Sequence, residues 1–252
     1  MITATVDRQH TAEPHHERIF TFPGPWLGGV SLIIGPCLLL AGTLLRLGVP
    51  FFFPHQLAAY QRQPTLISTA YAIFLAGTIA LWPGIVVVAT QVGVTRPAWA
   101  LWGGGMVMFG LFARAFHYGV NTFAFALVDS AGLSTATHAV SSYYAYREWV
   151  VSSFTFAVML GWIVLAIGCF LSRTLRLLPA VALALMSGLM VGVLKGSTWA
   201  SAVQVAGLAV AFVPLGVTFL RGADIPPSRV LWRTVPLLLL FALGSVVLGQ
   251  LG

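Results

Sequence analysis

The sequence predicts an all-α fold, a polytopic membrane protein with about seven transmembrane helices in one bundle. Three observations predict it. Hydrophobic residues make up 58% of the 252 residues and charged residues only 8%, with a mean hydropathy of +0.92, whereas about a quarter of a soluble globular chain is charged. Apolar runs repeatedly reach the roughly 20 residues that carry a helix across a hydrocarbon core. The alternating ten-residue pattern of an outer-membrane barrel is missing.

The first 24 residues, MITATVDRQHTAEPHHERIFTFPG, are polar and hold three of the six acids, so they read as an extramembrane tail. No apolar core precedes a small-residue cleavage site, which excludes a signal peptide there. Residues 25–252 read as a single transmembrane helical domain, because most loops between the apolar runs are only a few residues long.

The runs extend approximately over Trp26–Leu47, Thr65–Val92, Trp99–Phe116 or somewhat beyond, Val150–Leu171, Leu178–Leu194, Trp199–Leu220 and Val230–Leu251. Arg46, Arg96, Arg173, Arg176, Lys195, Arg221 and Arg229 mark their ends with charge, and Trp26, Trp99, Trp149, Trp199 and Trp232 supply amphipathic anchors. In the second run, "GTIALWPG" reads as an interrupted helix. With seven spans, the side of the tail carries Arg8, Arg18, Arg96, Arg173, Arg176, Arg221, Arg229 and Arg233, against Arg46, Arg62, Arg114, Arg147 and Lys195 opposite. That bias favours a multi-pass plasma-membrane protein with a cytoplasmic amino terminus. The net charge of +7 is spread singly among helix ends, which suits a lipid bilayer and gives no patch for nucleic acid. Cys37 and Cys169 sit in separate apolar runs, so no disulfide framework or zinc site is expected.

One stretch departs from this plan. From His117 to Trp149 the chain reads as neither a clean span nor a plain loop: "VNTFAFALV" is apolar, "DSAGLSTATHAVSS" small and polar, "YYAYREW" aromatic and charged. Irregular backbone at membrane depth is tolerated only where protein or a cavity shields it, so this segment is expected to line a pocket. If residues 117–129 are helical, His117, Asn121, Phe125 and Asp129 recur every four residues along one slowly spiralling stripe, with Gly119 a place for a kink. Ser141, Tyr144, Glu148, Ser152 and Thr155 form a second stripe on the next helix.

Asp129 and Glu148 are the acids outside the tail and the Asp224 loop, and they carry the chemical expectation. Structural readings stand beside it: Asp129 as a cap for a helix starting near Ser130, Glu148 as the partner of Arg114 or Arg147, His117 and His138 as hydrogen-bonded structural groups. Intramembrane ionisable groups mark function by default, and both acids share this segment with two of the six histidines and the cluster Tyr143, Tyr144 and Tyr146. A carboxylic acid in a low dielectric keeps its proton and is able to donate it. Given to an alkene, that proton creates a carbocation, which the faces of Trp, Tyr and Phe stabilise by ~0.5–2 kcal/mol each when dry. A prenyl chain partitions into the bilayer at ~0.8 kcal/mol per CH₂.

In size and in the order of "FFFPHQLAAY", "GLFARAFHYGVNTFAFALVDSAG", "YYAY" with "REW", and "VGVLKGST", the chain resembles the small bacterial, particularly actinobacterial, integral membrane terpene cyclases of drimentine-type pathways. The resemblance implies protonation-initiated cyclisation of a farnesylated indole or diketopiperazine, a lipophilic prenylated partner, without loss of diphosphate and without a cofactor. It also implies membrane carboxylates as acids, and these map to Asp129 and Glu148. Related fungal membrane cyclases are thought to place two carboxylates on different helices. Asn121 or His117 is expected to position the reacting group. Trp82, Phe116, Tyr118, Phe125, Tyr144 and Trp162 are expected to line the substrate site, with Trp82 beside the Pro83 kink.

The DDxxD and DxDD patterns are absent, and six acids in total leave no ordinary Mg²⁺-diphosphate site, so no metal is expected. Walker and Rossmann fingerprints are absent too. Two other classes stay open. A proton-coupled transporter would use Asp129, Glu148 and His117 as a relay, and a metal or haem redox protein would use His55, His117 and His138.

Overall fold

Proline sets the start of four helices, at the first or second position, where its fixed φ suits the turn and its missing N–H costs nothing. The computed structural model describes residues 22–146 and 149–223, with Trp232, Pro236, Leu237, Leu240 and Gly244 beyond them. Within that range the chain forms α1 (Gly24–Leu44), α2 (Phe53–Arg62), α3 (Pro64–Gly93), α4 (Pro97–Ala145), α5 (Trp149–Leu171), α6 (Leu177–Ala184) and α7 (Trp199–Arg221), with a 3₁₀ turn over Leu185–Gly188. No strand occurs among the described residues. Among the described residues four helices, α1, α3, α5 and α7, are long and apolar enough to cross a membrane.

The main bundle is built from antiparallel neighbours: α1 packs chiefly on α3 and α7, and α4 on α5 and α3. Its core runs through Leu32, Leu81, Val107, Trp162, Leu165 and Phe212. A second, smaller core lies at the end where α1 finishes and α3 begins. There Leu57 and Tyr60 of α2, Ile67 and Tyr71 of α3, Phe125, Val128 and Val140 of α4, and Val193 and Leu194 pack together as a cap on the bundle.

The expected interruption in α3 is closed by a neighbour. Pro83 lies inside the helix, and here the hydroxyl of Ser31, from α1, inserts into the rung between Ala80 and Gly84. It donates to the Ala80 carbonyl and accepts the Gly84 N–H at 2.7 Å. Side-chain hydroxyls of this kind keep a proline-bearing helix satisfied where water is absent.

Two expectations are corrected. The stretch from His117 onward is not irregular: α4 continues to Ala145, and its one non-helical residue is Gly132, at φ 86° and ψ 163°. That positive φ is open to glycine without steric cost, and it divides α4 into a long arm and a short distal arm. Since α4 ends at Ala145 and α5 starts at Trp149, the second polar stripe is split between two helices. Nor is Leu178–Leu194 a full span. The helix stops after α6 and the 3₁₀ turn, and residues 189–198 return toward the cap as a loop. Glu148, the amino-terminal tail to residue 21 and the Val230–Leu251 run, isolated positions apart, lie outside the described residues.

Candidate functional site

The loop 189–198 carries backbone groups with no helix to satisfy them, and side chains from α3, from α4 and from Arg46 just after α1 do so instead. Arg114 donates to the Leu189 carbonyl at 2.8 Å, Tyr144 to Val193 at 2.5 Å, and Arg46 and Tyr71 to Lys195 at 3.2 and 3.3 Å. Asn121 accepts the N–H of Leu194 at 2.7 Å. Leu194 stands at φ 49°, a left-handed conformation uncommon for leucine that this bond holds in place. At Gly196 the loop meets the segment before α2: its N–H donates to Phe51 at 2.8 Å. A Cβ there would fall 2.4 Å from the Gln56 side-chain nitrogen and 2.9 Å from the Phe51 backbone, so only glycine fits. Thr198 and Ser201 then form a capping box that starts α7.

Two cavities open around this loop and the middle of α4. The first, about 60 Å³, is lined by Arg46, Arg114, Lys195, His117 and Asn121 among others. Arg46 is 4% exposed. Its guanidinium lies over the Tyr71 ring at 4.2 Å, and its Nε donates to Gly42 at 3.0 Å. The Lys195 ammonium stands 5.1–5.6 Å from the rings of Phe51, Phe52 and Tyr144, and burial pushes its pKa below the ordinary lysine range. His117 is held through Nδ1, 2.7 Å from the Ala113 carbonyl, so Nδ1 is the protonated nitrogen.

The second cavity, about 190 Å³, is lined by Tyr60, Ser68, Tyr71, Tyr118, Thr122, Phe125, Ala126 and Asp129. Phe125 stacks on Tyr60 at 4.3 Å between centroids and meets Tyr71 edge-on at 5.5 Å. Tyr60 donates its hydroxyl to Asp129 Oδ2 at 2.6 Å. The Tyr60 pKa is raised, first by that hydrogen bond and then by burial, so the phenol keeps its proton for the carboxylate. Asp129 itself is exposed at the edge of the cavity and caps no helix. Tyr71 and Tyr118 belong to both cavities and form the wall between them.

The predicted residues therefore divide. His117 and Asn121 line the cationic cavity, Phe125 and Asp129 the aromatic one, and Tyr118 both. Steps of four residues rotate a helix by ~40° each, so the stripe turns ~120° between His117 and Asp129 and rises roughly 18 Å. Asn121 is engaged in the loop by its carbonyl oxygen. Tyr144 holds the same loop by its hydroxyl. Phe116, 43% exposed, meets His117 edge-on and lines neither cavity. Trp82 and Trp162 belong to the main-bundle core, where their indole N–H groups have no acceptor among the described residues.

Comparison of the chain with protein-family models, curated proteins and solved structures returned no match. The residues themselves carry the functional argument. Those not anticipated are Tyr60, Ser68 and Tyr71, together with the inward-facing roles of Arg46 and Lys195. One signal was present: Tyr118, Thr122, Phe125 and Asp129 follow spacings of four, three and four, which hold a single face where four-four-four does not. Among the described residues, no three His, Cys, Asp or Glu side chains come together as metal ligands.

Proposed function

We propose that the protein is a multi-pass plasma-membrane enzyme, its Gly24 end toward the cytoplasm, that cyclises a prenylated lipophilic substrate by protonation, with Asp129 as the acid. The observation that carries this reading is the place of Asp129 at the edge of a cavity walled by Tyr60, Tyr71, Tyr118 and Phe125, with the Tyr60 hydroxyl 2.6 Å away to hold the carboxylate once its proton has left. A prenyl chain seated against these rings covers the carboxyl and brings its alkene to the acid. The acid O–H proton passes to the terminal alkene carbon and the π pair forms the new C–H bond. Tyr60 then donates to the carboxylate left behind. The ring faces stabilise the cation while a second alkene closes on it. Loss of a neighbouring proton to a base ends the sequence, so the net reaction is an isomerisation.

The position of the site suits a substrate with a polar group and a greasy chain. The long arm of α4, residues 97–131, is roughly 52 Å long at 1.5 Å per residue, well beyond a ~30 Å hydrocarbon core. A bilayer entered near Pro97 is crossed by about His117, which sets the aromatic cavity at the opposite headgroup region.

Membranes containing the protein, incubated with a farnesylated indole or diketopiperazine, are expected to yield a cyclised isomer of unchanged mass. Asp129→Asn should reduce its rate at least about a hundredfold, in line with the ~10²–10⁴ supplied by a positioned general acid. Tyr60→Phe should retain product at a lower rate, and Glu148→Gln tests the second acid. Product formation at the wild-type rate by Asp129→Asn would remove Asp129 from the chemistry.

A further inference from the structure

The cationic cavity is not used by this reading. We propose that it binds a phosphate-class anion, a phosphate monoester or diphosphate, at headgroup depth. Arg46, Arg114 and Lys195 converge on its walls, and no carboxylate among the described residues lines it. A guanidinium has five N–H donors and an ammonium three. Arg46 gives Nε to Gly42 and one terminal nitrogen to Lys195, and Arg114 gives one to Leu189. All these acceptors are neutral carbonyls, which leave the positive charge uncompensated. Buried charges of one sign are costly without a counter-charge.

The occupant follows from charge, size and depth. Two guanidiniums and an ammonium match a group bearing two or more negative charges and several acceptor oxygens better than a single carboxylate, since the arginine fork suits phosphate oxygens. About 60 Å³ exceeds the roughly 10–15 Å³ that one water needs, and it admits a small polyatomic group but no peptide. Arg114, His117 and Asn121 stand roughly 25–36 Å along α4 from Pro97, where a ~30 Å core gives way to headgroups. The proposal stands without the cyclase reading. If both hold, the shared wall of Tyr71 and Tyr118 lets an anion anchored here direct its chain toward Asp129.

The test reads binding without turnover. Protein in phosphatidylcholine nanodiscs is titrated with inorganic phosphate and inorganic pyrophosphate by calorimetry, and lipid retained from nanodiscs containing phosphatidic acid is counted by native mass spectrometry. Saturable binding is expected for at least one probe. Binding of pyrophosphate identifies a soluble phosphate ligand, whereas retention of phosphatidic acid alone identifies a lipid headgroup. Arg114→Gln and Lys195→Met should each weaken it about tenfold to a hundredfold, the value of one charge-assisted contact. Arg62→Gln, exposed and outside the cavity, should leave it unchanged. Arg114 also holds the loop, so Lys195→Met decides where Arg114→Gln fails to fold. Absence of saturable binding for every probe, wild-type affinity in Lys195→Met, or an equal loss in Arg62→Gln overturns the proposal. A cyclase inactive as Asp129→Asn but binding normally separates the two sites.

Discussion

At the scale of the residue, Asn121 illustrates how a polar side chain in an apolar helix divides between structure and chemistry. It is 5% exposed, and its carbonyl oxygen satisfies the N–H of Leu194 at the left-handed turn of the loop. Asn121→Leu keeps the volume and removes the acceptor, leaving a buried N–H unpaired at a cost of ~1–3 kcal/mol. The expected outcome is a fall in apparent Tm of several degrees, at about 2–4 °C per kcal/mol for a chain of this size. An unshifted melting curve in detergent would show that the loop is held without it. The stripe of His117, Asn121, Phe125 and Asp129 was legible from its spacing, with three polar groups in a greasy run. Their assignment to two cavities was not, because it depends on a ~120° drift of the helix face and on partners far away in sequence. Asp129 meets Tyr60 across 69 positions, and Asn121 meets Leu194 across 73.

Among the elements, run length alone located α1, α3, α5 and α7 to within a few residues, since crossing a hydrocarbon core fixes how many apolar residues a helix needs. Composition misled in two places, for different reasons. "DSAGLSTATHAVSS" looks like a loop, yet it stays helical apart from Gly132, and its hydroxyls are absorbed by the helix one turn back: Ser130 on Ala126 at 2.8 Å and Thr137 on Leu133 at 2.7 Å. The run ending in "VGVLKGST" is apolar enough for a helix, yet it leaves the helix because its backbone is satisfied by arginine, tyrosine and asparagine from elsewhere. Hydropathy does not separate a span from a buried loop. Ser31 shows the same dependence of one element on another. Ser31→Ala removes the hydroxyl that bonds both the Gly84 N–H and the Ala80 carbonyl beside Pro83. A single intramembrane hydrogen bond averages ~0.6 kcal/mol, so losing two should cost about 1 kcal/mol or somewhat more. Unfolding of the variant in mixed micelles should show that loss, and Ser31→Thr, which keeps the hydroxyl, should recover part of it.

For the whole molecule, the two cavities bear on its orientation in the bilayer. The positive-inside rule counts cations near span ends, and side chains committed to an internal site do not belong in the count. Arg46, Arg114 and Lys195 line the cavity at the cap end, which leaves Arg62 as the free described cation there. At the Gly24 end Arg96, Arg173, Arg176 and Arg221 are all exposed. Four against one among the described residues agrees in direction with the bare count of basic residues, and it supports the proposal that the Gly24 end faces the cytoplasm and the cap the opposite side. Cysteine labelling measures this directly. In a Cys37→Ser, Cys169→Ser background, Arg62→Cys should react with a membrane-impermeant maleimide in intact cells, whereas Arg176→Cys should react only after permeabilisation. The reverse pattern would place the cap in the cytoplasm. The distinction has a chemical consequence, because the cavities lie at the cap end: the expected pattern commits Asp129 to molecules that reach the outer leaflet, and the reverse commits it to those delivered from inside the cell.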